Sequence, residues 1–553
     1  MNRKMLWFGP CLLALLSATP TTAASRPAPS RSLAPTIVGG QWTWVGGLDH
    51  SPQSERYGVY GTKGVPAPEN APGARHSFVS WTDASGNFWL FGGEGHGAAG
   101  DGRLNDLWKW DGAAWTWMSG SDSPNGNGVY GTKGIAAPGN VPGARSASVS
   151  WTDASGHLWL FGGIGHAANF LQGSLNDLWR WDGTNWTWVS GSSELDQLGI
   201  YGTKRVASPE SVPGARMSSV SWTDASGNLW LFGGRTYLSS GSDFHLNDLW
   251  RWDGATWTWM SGSDGQDQPG TYGTKGIAGS DNVPGARQSS VSWIDASGSF
   301  WLFGGSGRSA TGAGYLNDLW RWDGTAWTWV SGSNTTDQYG SYGTKGTGAP
   351  GNVPGARRGS VAWSDPAGNL CLFGGEGFAA EDSFDGGSLN DVWRWDGATW
   401  TWLSGSDYPG QKGTYGTKGV PAPANVPGAR RGSVAWRDTT GSLWLFGGVG
   451  HTAIEFRNLN DLWKWDGTAW TWIGGPSGES NVGVFGTKGV PAPENLPRPR
   501  YSPVSGTDSS GNFWLFGGKA FSHPSSGDGI FNDLWRWDGT YWTWMSGTGK
   551  SGQ

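Results

Sequence analysis

The chain contains two cysteines in 553 residues, and one of them, Cys11, lies in an N-terminal stretch that reads as a cleaved leader. That leaves Cys371 alone, which excludes an internal disulfide and any cluster of thiolate metal ligands. Charge is also sparse: only 15% of residues are charged and the net charge is −6, so no basic footprint for nucleic acid is present. Beyond the leader no apolar run is long enough to cross a membrane as a helix, and no membrane span is expected.

The leader itself is read from Arg3 and Lys4, the apolar stretch Leu6 to Leu16, and the small residues Thr22-Ala23-Ala24. Residues 1–24 are expected to be a signal peptide, 25–40 a linker, and the product to be secreted or periplasmic. Glycine and tryptophan, at 96 and 43 residues, are far above ordinary usage. Both are poor helix formers, and the profile suits short strands joined by tight turns.

A repeat organises the rest. Phe-Gly-Gly begins at Phe91, Phe161, Phe232, Phe303, Phe373, Phe446 and Phe516, with spacings of 70, 71, 71, 70, 73 and 70 residues. In the first unit Pro72-Gly73-Ala74-Arg75 leads into a strand around Val79-Ser80-Trp81. Asp83 to Asn87 has the residues of a hairpin turn. Phe88 to Phe91 is a second strand, expected to stop at Gly92-Gly93. Leu107 to Trp110 is a third, and Asp111-Gly112 turns it into a fourth, Trp115 to Met118. A long connection with Tyr130-Gly131-Thr132-Lys133-Gly134 follows. Four short antiparallel strands per unit, in seven nearly uniform units, predict an all-β, seven-bladed propeller with blades at about 72–118, 142–189, 213–260, 284–330, 354–403, 427–473 and 497–545. The propeller is expected to span 41–547. An eighth Trp-Thr-Trp, in an extra strand at 41–45, competes with Trp542 to Trp544 for the last blade, and the C-terminal copy is favoured because its hairpin partner adjoins it.

The Pro/Arg start, the double glycine and the aromatic residues Trp110 and Trp115 resemble the kelch family. The chain looks like the central propeller of secreted galactose-oxidase-like proteins without the copper-radical residues. Kelch units run near 50 residues, and these are longer, with the excess expected to add seven ordered loops to one face. The resemblance implies that the first strand of each blade is innermost. It also raises enzymes of this fold. Copper-radical oxidases need a Tyr–Cys crosslink, which Cys371 at a core tryptophan position does not suit. Iron-dependent specifier proteins carry Glu-x-x-x-Asp-x-x-x-His; Glu381 and Asp385 match, but Leu389 stands at the histidine position. Sialate mutarotase-like propellers use Arg, Glu and His on loops, and the sequence does not exclude them.

Five blades use six tryptophans and blades five and seven use five, with Cys371 and Gly506 at the missing positions; with Trp7, Trp42 and Trp44 these exhaust the inventory of 43. None is left for a variable loop, so the tryptophans are expected to be core rather than a sugar platform. Arg75 and its six counterparts, the Asp106 series and the Lys63 series occur in every blade, which fits scaffold, an arginine-lined mouth for an anion being the alternative. Symmetry breaks just after Gly-Gly, where His96, His166, Tyr237, Arg308, Phe378, His451 and Phe521 share one register, with Glu94, Glu376, Asp382 and Asp385 nearby. These seven are the candidate binding residues. Three histidines in one register suggest a metal, but blades one, two and six do not converge, and neither metal nor cofactor is expected. The reading is a monomeric, non-enzymatic module binding a protein or glycan partner through the loops of one face. A carbohydrate-active enzyme and a surface structural protein are the alternatives.

Overall fold

The computed structural model describes residues 57–169, 171–380, 386–478, 483–508, 510–520 and 529–548. The leader, the linker and the extra strand at 41–45 lie outside the described residues. Seven antiparallel blade sheets follow one another along the chain, one for each Phe-Gly-Gly unit, and in the seventh unit a separate two-stranded sheet pairs Lys519–Ala520 with Gly529–Ile530. In blade one the strands are Val79–Thr82, Phe88–His96, Asp101–Trp110 and Trp115–Ser119, paired in that order. The two-residue strand Arg75–His76 pairs with the same edge of Phe88–His96 that Val79–Thr82 uses. First strands of neighbouring blades adjoin one another, blade seven meeting blade one, so the ring closes with the first strand innermost. The last blade is completed by Trp542–Ser546, paired with Leu534–Trp537.

Local chemistry makes each blade. Asp83 turns the first hairpin: its Oδ1 accepts the amides of Ser85 and Asn87, and its Oδ2 accepts the Trp89 indole at 2.8 Å. Gly86, at φ 82°, supplies the left-handed residue the turn requires. Asp111 does the same for the second hairpin through the amides of Ala113 and Ala114.

In blades one to six the double glycine does not stop the second strand, whereas in blade seven the strand ends at Phe516, just before it. In blade one the strand runs through it to His96, and the register slips by one between Phe91 and Gly93. The two glycines form a bulge at φ 67° and 94°. A Cβ on Gly92 would lie 2.9 Å from the Arg145 carbonyl of the next blade, so the bulge also lets neighbouring blades meet closely.

Seven apolar clusters, each shared by two adjacent blades, hold the ring. Between blades one and two, Trp81, Trp89, Phe91 and Leu107 pack against Leu158, Leu160, Trp179, Trp181 and Trp186. The largest fully buried side chains are all tryptophans, a pair such as Trp108 and Trp115 from each of the first six blades. The sixth tryptophan of a blade is half-buried and covered: Trp117 lies beside Tyr60 at 5.0 Å and under Lys63 Nζ at 4.3 Å.

The long connections are not only loops on one face. Before each blade the connection runs along its outermost strand. For blade two, Gly134 donates to the Trp188 carbonyl, Ala137 bridges Trp186, and Lys133 Nζ reaches the Gly191 carbonyl at 2.8 Å. In blade four this contact becomes a strand, Ala278–Gly279, on Trp327–Ser331. An outer strand otherwise presents unpaired amides and carbonyls, a template for edge-to-edge association. Much of the excess length therefore covers sheet edges.

Trp250 and Trp252 are 0% and 3% exposed in the blade two–three interface. Replacing either by Ala is expected to cost about 3–5 kcal/mol, and Trp259→Ala, at a half-buried position, to cost less. Chemical denaturation of the three variants measures the difference.

Candidate functional site

The repeated polar residues build one internal device per blade. Arg75 Nη1 and Nη2 donate to Asp106 Oδ1 and Oδ2 at 2.6 and 2.7 Å, and its remaining donors reach the carbonyls of Gly92 and Gly73. Asp106 also accepts from the Tyr60 hydroxyl at 2.6 Å and the Trp108 indole at 2.7 Å. The pairs Arg145–Asp177, Arg216–Asp248, Arg287–Asp318, Arg357–Asp391, Arg430–Asp461 and Arg500–Asp533 repeat it. Every one of these side chains is at most 1% exposed. The arginine series is scaffold, and an arginine-lined mouth made from it is ruled out. Burial opposes the Arg75 charge, and Asp106 more than offsets it, leaving the guanidinium pKa raised. Burial, then the Asp106 charge, pushes the Tyr60 phenol up, so it remains a donor.

The loop that joins the second and third strands and the connection leaving the fourth emerge together: Ala98 donates to the Asp122 carbonyl and Asn125 to the Arg103 carbonyl. The candidate residues stand at this end. His96, His166, Tyr237, Arg308 and His451 each close a second strand, and Phe378 follows one directly. Phe521, Asp382 and Asp385 lie outside the described residues. His96 meets Tyr57 edge-on at 5.4 Å, and His166 is buried. Tyr237 hydrogen-bonds Ser174 through its backbone, and Arg308 pairs with Asp267 at 3.4 Å. Phe378 meets Tyr339 and Tyr315, and His451 meets Phe456. None of these contacts joins two of the candidates. Burial lowers the pKa of His166 and His451, Arg103 and Lys412 adding to it respectively.

A second set of variable residues, not singled out from sequence, lines the inner edge at the same end. It is the residue after the invariant arginine: His76, Ser146, Met217, Gln288, Arg358, Arg431 and Tyr501. Its signal was present, since one position varies freely inside a nearly constant Pro-Gly-Ala-Arg-x segment. The sharpest asymmetry is at blades four to six. Glu376 accepts from Arg358 at 2.9 Å and from Arg431, on the next blade, at 2.8 Å. Both arginine side chains are more than a third exposed, and the Arg358 guanidinium also lies 5.1 Å from the Tyr315 ring. At blade one, Arg103 reaches Ser146 of blade two, and His76 sits among Lys519, Glu94 and Arg103.

The residues do not fit a copper-radical centre. Cys371 is buried in the blade five–six core opposite Trp363, and burial pushes its thiol up to about 12. Among the described residues no three His, Cys, Asp or Glu side chains gather as metal ligands.

Two outcomes are expected. Asp248→Asn strands a buried guanidinium and should cost about 3–5 kcal/mol, part of it recovered in the Arg216→Met/Asp248→Leu double variant on denaturation. Burial, with Lys519, lowers His76 from 6.5 to about 4. As pH falls through that window the unfolded chain takes up a proton that the folded chain refuses, so stability falls. NMR titration should find His76 near pH 4, and His76→Gln should soften the loss.

No family model and no curated protein matches the chain. Among solved structures it is similar to YjhT, at 13% identity over 72% of this chain and 97% of that one, with a TM-score of 0.40. It is also similar to a fungal alcohol oxidase of the AA5 family in complex with copper, at 14% identity over 85% of this chain and 74% of that one, with a TM-score of 0.40.

Proposed function

We propose that this protein is an exported, monomeric recognition module that holds a glycan or protein partner on the loop face of its propeller. One observation carries the reading: the blades differ from one another chiefly at one end. At the other end the Asp83-type and Asp111-type turns repeat with the same hydrogen bonds from blade to blade. A ring of equal blades cannot recognise an asymmetric partner, so binding falls to the end where the blades depart from their repeat. The partly exposed Arg358–Glu376–Arg431 group is an asymmetric charged feature there, and it offers donors to a partner's hydroxyl or carboxylate oxygens. Export rests on the charged and apolar residues of the leader.

A sugar-converting enzyme is the second reading. It is favoured by a carboxylate held between two guanidiniums beside the Tyr315 ring, since acid–base work needs such groups at one place.

The test is a glycan array and a pull-down from spent medium with paired variants. Arg358→Ala/Arg431→Ala should abolish capture with unchanged melting. Lysines at Ser85, Ser155 and Ser226, on the opposite turns, should leave capture intact. Loss in the turn set alone assigns the wrong face, and turnover of a bound sugar favours the enzyme.

A further inference from the structure

Blade three breaks a rule that its neighbours keep, and the break opens a cavity. In blades one, two, four and five the second and third strands face each other through a glycine pair, such as Gly95 with Gly102 and Gly307 with Gly314. The first glycine is required, because a Cβ on Gly95 would come within 2.0 Å of the Ala74 carbonyl. With glycine there, the next residue donates to that alanine, as His96 does to Ala74 and Arg308 to Ala286. The carbonyl one residue further then accepts from the connection, as Gly97 does from Gly58 and Ser309 from Gly270.

In blade three the pair is Thr236 with Phe244. Thr236 cannot take the glycine's place, and its hydroxyl bonds the Ala215 carbonyl at 2.5 Å instead. The strand end leans onto blade two, where Tyr237 exchanges hydrogen bonds with Ser174 and Ser239 donates to Asp196 at 2.7 Å. The Gly199 amide makes no bond of the kind that Gly58 and Gly270 make. Where the strand end has withdrawn lies a recess of about 350 Å³.

Its lining divides by burial. Ala215, Thr236, Phe244 and Leu246 are buried and form an apolar floor, closed on one side by Tyr201, which is more exposed than its counterpart tyrosines. Tyr201 is fixed by its hydrogen bond to Asp248 at 2.8 Å. The exposed part is polar, with Gln197, Asp264 and Gln266, and Leu198 stands 69% exposed beside them. No Lys, Arg or His lines the recess, while Asp196 and Asp264 do.

We propose that this recess binds a single neutral sugar ring. Its volume suits one such unit. Phe244 and Tyr201 offer apolar walls to the C–H face of the ring, and the carboxylates and carboxamides accept from and donate to its hydroxyls. The Gly199 amide adds a fixed donor. Two carboxylates with no cation disfavour an acidic sugar. The proposal rests on the recess alone and is independent of the reading of Arg358 and Arg431.

The test is saturation-transfer NMR on the full chain with glucose, galactose, N-acetylglucosamine, sialic acid and choline. At least one neutral sugar should bind, and sialic acid and choline should not. Thr236→Gly restores the repeat's glycine and lets the strand end close, so binding should weaken at least tenfold with melting unchanged or raised. Should that variant fail to fold, the exposed pair Asp264→Ala/Gln266→Ala decides by the same tenfold criterion. Arg358→Ala/Arg431→Ala should bind the neutral sugar as the parent does. Silence from all neutral sugars, preferential binding of choline or sialic acid, or undiminished binding by the recess variants overturns the proposal.

Discussion

The bidentate Arg–Asp pair inside each blade is the interaction on which the rest depends. It ties four segments that are far apart in sequence. The arginine comes from the start of the innermost strand and the aspartate from the third strand. The accepting carbonyl comes from the glycine bulge, and in most blades a tyrosine comes from the preceding connection. In blade seven Phe485 takes the tyrosine's place against Trp535, which keeps the packing and drops the hydrogen bond. A buried ion pair contributes little net stability against an apolar pair of the same shape, because desolvation consumes most of the attraction. Its use here is specification. A guanidinium that finds its full set of acceptors in only one arrangement fixes the register of the innermost strand, the bulge and the connection together.

That fixed register lets tryptophan close the ring. Both faces of each sheet are apolar, and each meets the opposite face of its neighbour, so a blade has no buried partner except other blades. Blade seven meets blade one through Phe516 and Phe78, whose rings lie edge-to-face at 5.6 Å, and through Trp514 and Trp110. Closure therefore needs no disulfide among these blades, and Cys371 can act as a small core side chain. The ring buries its sheet faces but leaves the outermost edges, and the connections cover those.

The blade count, the hairpins and the tryptophan core were legible because each follows from short-range chemistry repeated seven times, whereas the innermost place of the first strand came only from the kelch resemblance. What escaped was non-local. Gly92-Gly93 reads as a strand stop, because glycine weakens strands. Only the approach of the Arg145 carbonyl from the next blade shows why a bulge serves there. The connections read as surface loops, since single hydrogen bonds to an outer strand leave no hydrophobic alternation to detect. Arg358 and Arg431 were hidden beside the invariant arginine: two adjacent arginines look alike in sequence, although one is sealed against Asp391 and its neighbour is 40% exposed. Of the seven residues after Gly-Gly, the six that are described stand at the loop end of their blades, and their register carries them around the ring and not into one cluster.

The same logic says where function can reside. In a ring held by one device per blade, the arginine, the aspartate and the bulge glycines are not free to vary, since changing them strands a buried charge or closes a glycine's space. Blade three departs from its repeat at several positions outside the Arg–Asp pair. Besides Thr236 and Phe244, it carries Arg205 at φ 65°, where Gly134 and Gly276 hold 82° and 81°. It also carries Ser211 where Asn140 and Asn282 bond the outer strand's carbonyls. A left-handed arginine costs roughly 1–2 kcal/mol relative to glycine. Local substitutions that weaken one blade of a symmetric scaffold, while its Arg216–Asp248 pair stays intact, point to a demand other than folding. The departure at Thr236 and Phe244 is the one that borders the recess, since both residues line it.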